Sequence, residues 1–85
     1  MSRRIEYSRD AAWTLARIDQ ATSKRIRGKI DQLAAESEAL ANNVRALKGP
    51  GDLKRLRIGD WRVIFTETLV VVTVQKVAPR GSAYE

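Results

Sequence analysis

The sequence predicts an α+β fold in the order β-α-α-β-β-β, forming a single domain over residues 1–85. Two observations support this fold class. Apolar residues recur at helical spacing in the first half of the chain, and they alternate with period two after the glycine-rich segment 48–52. An N-terminal strand, an α-helical hairpin and a three-stranded antiparallel meander follow from this pattern. We expect the N-terminal strand to pair with a C-terminal strand, because a lone strand leaves its backbone groups unpaired.

The N-terminal segment predicts a strand followed by a helix. Ile5 and Tyr7 alternate with charged residues, which indicates a short half-buried strand over residues 3–7. Ser8 can cap a helix by accepting hydrogen bonds from backbone N–H groups of the first turn. We expect this helix to end near residues 19–21.

A second helix follows, and Thr22 or Ser23 is its expected cap. Four apolar residues at +4, +7 and +8 spacing form its buried stripe: Ile26, Ile30, Leu33 and Ala34. Basic residues lie on its other side, and we interpret them as a solvated face: Lys24, Arg25, Arg27 and Lys29.

The second half predicts strands at 53–58, 61–66 and 69–77, with a loop over 40–47 before them. The last strand is apolar on both faces, so we expect it inside the sheet with the helices over one side. The predicted core comprises Ile30, Leu33, Phe65, Val72 and Val74.

The charge balance favours a polyanionic partner. Sixteen Lys and Arg residues against ten Asp and Glu give a net charge of +6, which suits nucleic acid first and an acidic protein second, although solubility alone also explains basic chains. The sequence contains no Cys and no His, which excludes disulfides, thiolate chemistry and His-dependent catalysis and argues against a zinc site. We expect a cytoplasmic protein with no cofactor, no bound metal and no membrane association, because no apolar run approaches the length of a membrane span.

Strand parity concentrates basic side chains on one face of the predicted meander. Arg55 and Arg57 share a parity, and Arg62 is opposite in parity to the apolar residues Trp61 and Phe65. If the apolar parity packs under the helices, Arg62 projects from the uncovered side. Arginine forks on such a face match phosphate oxygens, while an ordinary solvated sheet face is the alternative.

Three stretches resemble the RelE/ParE toxin superfamily. Residues 44–49 read Val-Arg-Ala-Leu-Lys-Gly, residues 53–65 read Leu-Lys-Arg-Leu-Arg-Ile-Gly-Asp-Trp-Arg-Val-Ile-Phe, and Val74–Val77 precede Pro-Arg-Gly-Ser-Ala-Tyr at 79–84. The family pattern has a Leu-Lys-Gly, a Gly-Asp-aromatic-Arg hairpin, a Val-rich strand and a tail ending in Tyr. Pro79 stands where many members have His.

The resemblance implies a RelE-like fold and the toxin of a type II toxin–antitoxin system. Members of the RelE type are ribosome-dependent endoribonucleases that cut mRNA in the A site without a metal. The resemblance implies a cognate antitoxin partner, with operator DNA contacted only through that antitoxin. It assigns catalytic roles to Arg62, Arg80, Tyr84, Lys54 and Arg55. Arg57 belongs to the same basic cluster as Lys54 and Arg55, and the resemblance does not decide which of these three is catalytic. We also expect RNA binding by Arg57, Lys48 and Lys76.

Metal-free RNA cleavage needs a base for the 2′-OH, cations for the phosphorane and an acid for the departing 5′-oxygen. Arg62 and Arg80 suit the cationic role, and Lys54 or Arg55 can assist. Tyr84 is a base if neighbouring arginines favour its ionisation; otherwise it stacks on a nucleobase or anchors the tail. Two other functions stay open: a ParE-like inhibitor of DNA gyrase, whose family generally lacks this arginine and tyrosine set, and a basic binding module without catalysis.

Overall fold

The computed structural model describes residues 2–49 and 51–81, in which a mixed sheet of five strands is covered on one face by two α-helices. The elements are β1 Arg4–Tyr7, α1 Arg9–Arg17, α2 Gln20–Ala35, a 3₁₀ helix Ser37–Asn43, β2 Val44–Ala46, β3 Lys54–Ile58, β4 Trp61–Glu67 and β5 Val71–Pro79. The strand order is β1-β5-β4-β3-β2, with β1 parallel to β5 and every other neighbouring pair antiparallel. The predicted α+β class and the pairing of the first strand with the last are confirmed.

Side-chain caps determine where the two helices begin. Ser8 caps α1 as predicted, since its Oγ accepts from the Ala11 N–H at 3.0 Å. The cap of α2 is Asp19, whose Oδ2 accepts from the Thr22 N–H at 3.0 Å. The prediction of Thr22 or Ser23 is therefore wrong, because a carboxylate three residues upstream is favoured by the partial positive charge of the helix start. Ser23 is buried instead, and its Oγ donates to the Leu15 carbonyl at 2.8 Å.

The core lies between α2 and the helix-facing side of the sheet. All four residues of the predicted α2 stripe are buried, and so are the three strand residues of the predicted core, Phe65, Val72 and Val74. Burial of this apolar stripe provides most of the stability of an amphipathic helix. The prediction that the last strand lies inside the sheet is confirmed, since β5 lies between β1 and β4.

The structure differs from the prediction in two places, before the first strand of the meander and at the start of its last strand. Residues 44–46, predicted as part of a loop, form the edge strand β2 against β3. Leu69 and Val70, predicted within the last strand, lie in the preceding turn with 96% and 64% of their surface exposed. The Thr68 Oγ1 accepts from the N–H groups of Val70 and Val71 at 3.1 Å each, so a local hydroxyl contact shapes a turn where apolar composition favoured a strand.

One extra residue interrupts the pairing of β5 with β4. Ile64 pairs with Lys76 and Phe65 pairs with Val74, which leaves Gln75 without a partner on β4. Such a β-bulge shifts the alternation of side chains by one position. Val74 and Val77 are consequently both buried although they are three residues apart.

Candidate polyanion-binding face

The face of the sheet away from the helices carries a row of basic residues from four neighbouring strands. Register places Arg45 on β2 opposite Arg55 on β3, and Arg57 opposite Arg62 on β4. Lys76 on β5 lies beside Ile64, which in turn lies beside Arg55. We call this surface the open face, defined by Arg45, Arg55, Arg57, Arg62 and Lys76.

Arg57 and Arg62 stand directly across from each other at the end of the open face nearest the Gly59–Asp60 turn. Like charges opposite one another destabilise a strand pair. None of the ion pairs in residues 2–49 and 51–81 involves either arginine. The fold therefore places two arginines opposite each other with no ion-pair partner in the described part of the chain, which favours the binding of an external anion.

Arg62 is oriented by the turn that precedes β4. Its Nη1 donates to the carbonyls of Gly59 and Trp61, both at 3.0 Å. The side of the sheet is the predicted one, but the expected solvent exposure is wrong, because only 9% of the Arg62 surface is accessible. A guanidinium has five N–H donors, so these two contacts fix its position and leave donors for a phosphate.

Two further arginines meet the same turn. Arg80 follows β5, is exposed, and has its backbone N–H bonded to the Asp60 carbonyl at 2.6 Å. Arg25 reaches the turn from α2, and a Cβ placed on Gly59 would lie 3.0 Å from its Nη2. We call Arg25, Arg57, Arg62 and Arg80 the turn cluster. Sequence patterns offered no signal for Arg25, because its contact with the turn joins residues 34 positions apart.

A cleft of about 130 Å³ lies on the open face beside β2 and is lined by Asn42, Asn43, Val44, Arg45, Arg55 and Arg57. Arginine forks and amide N–H groups are donors that suit phosphate oxygens. Arg45 was absent from the predicted site because its strand was taken for a loop. The repeating Arg at β2, β3 and β4 is visible only once β2 is paired.

Not every predicted site residue joins this surface. Lys54 lies on the helix-facing parity of β3, and its Nζ is 2.8 Å from the Glu67 Oε2. Lys48 follows β2 and is exposed near the start of β3, at the other end of the hairpin from the turn cluster. Tyr84 lies outside the described residues. The structure thus brings Arg55, Arg57, Arg62, Arg80 and Lys76 toward one surface and keeps Lys54 and Lys48 apart from the turn cluster.

Glu67 at the end of β4 binds two cations. Its carboxylate oxygens lie 2.6 Å from Arg3 Nη1 and 2.8 Å from Lys54 Nζ. Partial burial alone would raise the pKa of Glu67, but the hydrogen bonds from Lys54 and Arg3 outweigh it and hold this pKa below its usual range. Arg3 also donates to the Leu33 carbonyl at 2.7 Å, which ties the triad to the end of α2.

The open face supplies fixed positive charge rather than proton carriers. Arginine stays protonated at any physiological pH, so its guanidinium groups can hold a phosphodiester and offset charge that develops on it. Within the described part of the chain, no helix is both long and apolar enough to cross a membrane.

The family model for the ParE toxin of the type II toxin–antitoxin system, parDE, matches residues 5–84, so the chain belongs to this family of toxins. Solved structures extend the likeness to RelE. A chain of the archaeal RelE–RelB complex from Pyrococcus horikoshii OT3 is 31% identical, with a TM-score of 0.79 over 98% of this chain and 100% of that one. The predicted membership of the RelE/ParE superfamily is thereby confirmed.

More distant structures share the fold alone. A chain of the E. coli DinJ–YafQ toxin–antitoxin complex is 15% identical with a TM-score of 0.74, and each chain is covered in full. A mutant of the E. coli toxin RelE in the free state is 17% identical with a TM-score of 0.71, over 98% of this chain and 87% of that one. No curated protein gives a significant match to the sequence.

Proposed function

We propose that this toxin is an endoribonuclease that cuts mRNA in the ribosomal A site and so inhibits translation. The observation that carries the proposal is the facing pair Arg57 and Arg62, which the described residues leave without a carboxylate. The phosphates of an RNA backbone are negatively charged whatever the base sequence. RNA is therefore a ligand that can offset the positive charges along this strand face. The 31% identity to a chain of a RelE–RelB complex supports the RelE type.

The reaction that suits this face is attack of the 2′-oxygen on the adjacent phosphorus. The 2′-OH loses its proton to a base, the new P–O2′ bond forms, and the P–O5′ bond breaks as the 5′-oxygen gains a proton. The products are a 2′,3′-cyclic phosphate and a 5′-OH end. Arg62 and Arg80 offset the charge on the phosphorane, while Arg55, Arg57 and Lys76 hold the flanking backbone. Arginine cations can carry this charge without a metal ion.

Tyr84 remains the proposed base and lies outside the described residues. Lys54 is tied to Glu67 on the helix-facing side, so its placement favours a structural role over the catalytic one that the sequence suggested. Lys48 remains a proposed contact to RNA beyond the hairpin.

A cognate antitoxin is the proposed protein partner. The related RelE–RelB and DinJ–YafQ structures are toxin–antitoxin complexes, and a net charge of +6 suits an acidic segment that folds on binding. Operator DNA would then be reached only through the antitoxin. We expect the two chains to co-purify from the native cell.

Inhibition of DNA gyrase is the second candidate function. The matching family model describes the ParE toxin, and this observation favours it. The two candidates differ in what the arginines do. Cleavage needs Arg62 and Arg80 in the reaction itself, whereas gyrase inhibition needs a contact surface on the fold.

The test compares cleavage of mRNA on programmed ribosomes with inhibition of gyrase supercoiling. We expect the parent toxin to cleave mRNA, and Arg62→Ala or Arg80→Ala to reduce the rate by about 100-fold or more, as loss of a transition-state cation does. Lys24→Ala removes the same charge from an exposed position on α2 and serves as the matched control. Circular dichroism checks that the variants fold.

The outcomes separate the candidates. Inhibition of supercoiling without mRNA cleavage would replace the nuclease with the gyrase inhibitor. Cleavage that survives both arginine substitutions at the control level would remove the catalytic assignments. If the toxin shows neither activity, the remaining candidate is a basic binding module without catalysis.

A further inference from the structure

We propose that the RNA-binding surface does not stop at the open face but continues past the Gly59–Asp60 turn onto α2, where Arg25 contacts a backbone phosphate. This inference rests on the proposed function, since it extends the same RNA surface. It assigns a role to a residue that the sequence placed on a solvated helix face. The ligand class is a phosphodiester of single-stranded or ribosomal RNA.

The geometry around Gly59 joins the two sides of the molecule. Arg62 approaches from the open face and donates to the Gly59 carbonyl at 3.0 Å. Arg25 approaches from α2, so that a Cβ on Gly59 would lie 3.0 Å from its Nη2 and 3.2 Å from its Nη1. Guanidinium groups from the sheet and the helix layer thus lie on either side of one residue.

Neither guanidinium is offset by a carboxylate within residues 2–49 and 51–81, where the ion pairs involve Arg3, Arg4 and Lys54 as cations. Asp60 lies in the turn itself, yet it belongs to none of those pairs. Like charges held close together repel, and a phosphate bound near both relieves the repulsion. An RNA strand that leaves the open face at this end therefore meets Arg25 next.

The other basic residues of α2 do not share this placement. Helical periodicity puts Lys29, one turn further on, on the same flank as Arg25. Arg27 faces the other way and packs its guanidinium 5.5 Å from the centre of the Tyr7 ring. Lys24 borders a separate cleft between α1 and α2, together with Arg27. The flank of α2 that carries Arg25 is thus the one that lies beside the Gly59–Asp60 turn.

The experiment measures mRNA cleavage on programmed ribosomes as a function of toxin concentration and of salt. Arg25→Ala is expected to raise the half-maximal toxin concentration about tenfold, the loss typical of one charge-assisted hydrogen bond. It should lower the slope of log affinity against log salt by about one, because one phosphate contact is lost. The maximal single-turnover rate should stay unchanged. Lys24→Ala, on the same helix and with the same change in charge, should leave all three values unchanged.

Two additions identify the RNA and guard against misfolding. Binding of a free RNA oligonucleotide, measured by fluorescence anisotropy, should weaken in Arg25→Ala if Arg25 contacts mRNA. A loss seen only with ribosomes assigns the contact to ribosomal RNA. Arg25→Lys keeps the charge and should recover most of the affinity and the salt slope. If the guanidinium had a purely structural role, Arg25→Lys would not recover them.

Failures of the two proposals are distinguishable. If the parent toxin does not cleave mRNA on ribosomes, the proposed function falls and this inference falls with it. If the parent toxin cleaves mRNA but Arg25→Ala behaves like Lys24→Ala, this inference alone is overturned. A variant that loses binding to the co-purified antitoxin while keeping the parental ribosome affinity also overturns it and assigns Arg25 to the protein partner.

Discussion

The two ends of the β3–β4 hairpin differ in whether their charged side chains form ion pairs. At the end formed by Lys54 and Glu67, the carboxylate binds two cations at 2.6 and 2.8 Å and all three side chains are partly buried. At the end formed by the Gly59–Asp60 turn, Arg57 and Arg62 face each other without such a partner in the described chain. The first arrangement pairs its charges within the fold, and the second leaves positive charge for the RNA that we propose as its ligand.

Under the proposed function, this difference separates residues that stabilise the molecule from residues that we propose serve its activity. A site that gathers like charges is held together by the rest of the structure, and its removal tends to leave stability unchanged or improved. The ion-pair triad of Arg3, Lys54 and Glu67 joins the residue before β1 to β3 and β4 and contributes to the fold. Variants at the two ends should therefore differ in which property they change.

The largest expected effect falls between the two ends, at Phe65. Its ring is fully buried, and it pairs with Lys54 and Val74 on the neighbouring strands. Phe65→Ala should lower the free energy of unfolding by about 3–5 kcal/mol, which is a large share of the stability of so small a domain. Urea unfolding measures it. A loss of unfolding free energy below about 1 kcal/mol would mean that Phe65 does not hold the two ends of the hairpin together through the core.

Glu67→Gln should have an intermediate effect on stability, about 1–2 kcal/mol at neutral pH, because two partly buried cations lose a charged acceptor. The pKa of Glu67 is lowered in the folded state, so its contribution is present above the ordinary Glu pKa and is lost as the pH falls through the lower folded-state value. Urea unfolding from neutral to acidic pH should therefore give a flatter stability profile for Glu67→Gln than for the parent.

Glu6→Gln is the matched control for that measurement. Glu6 pairs with Arg4 at 3.3 Å, but both side chains are more than half exposed, and such pairs contribute little. Equal losses in Glu6→Gln and Glu67→Gln would contradict the special role of the buried end.

The smallest expected change in stability is at Arg57. Arg57→Gln removes one member of the facing arginine pair, so the free energy of unfolding should stay constant or rise by up to about 1 kcal/mol. mRNA cleavage on ribosomes should fall at the same time, because a contact to the RNA backbone is lost. Lys24→Gln, exposed on α2, should change neither. Destabilisation in Arg57→Gln with parental cleavage would reverse the roles that we assign to the two ends.

The sequence predicts those parts of the fold that depend on local periodicity. The α2 stripe is confirmed by burial. The parity of β4 is confirmed by the core cluster, which includes Val63 and Phe65 but not Ile64, although Ile64 and Arg62 are buried as well. Strand β2 escaped prediction because three residues are too few to show a period, and its pairing with β3 is a nonlocal property. The Asp19 cap was missed because several polar residues near the helix start compete for the same N–H groups.

For the site, strand parity predicts which face of the sheet a side chain lies on, but not where the end of a long side chain points. Arg62 lies on the predicted side, yet it folds back onto the carbonyls of its own turn. Lys54 is adjacent to Arg55 in sequence and on the other side of the sheet, beside Glu67. Arg25 joins the turn cluster through a contact between helix and hairpin. Such long side chains can point in several directions, and tertiary neighbours choose among them.

The bulge at Gln75 marks a position where neither the identity nor the presence of the residue determines the pairing of β5 with β4. Its side chain is exposed and its backbone carbonyl accepts from the Ser8 Oγ at 2.7 Å, a bond that most residue types can replace because only the carbonyl takes part. Deleting Gln75 would instead remove the bulge and leave Val74, Lys76 and Val77 in regular alternation opposite Phe65, Ile64 and Val63. Lys76 would then stay on the open face and Val77 would stay toward the helices, so one lost codon at this position would straighten β5 and keep the cation on the surface proposed to hold RNA.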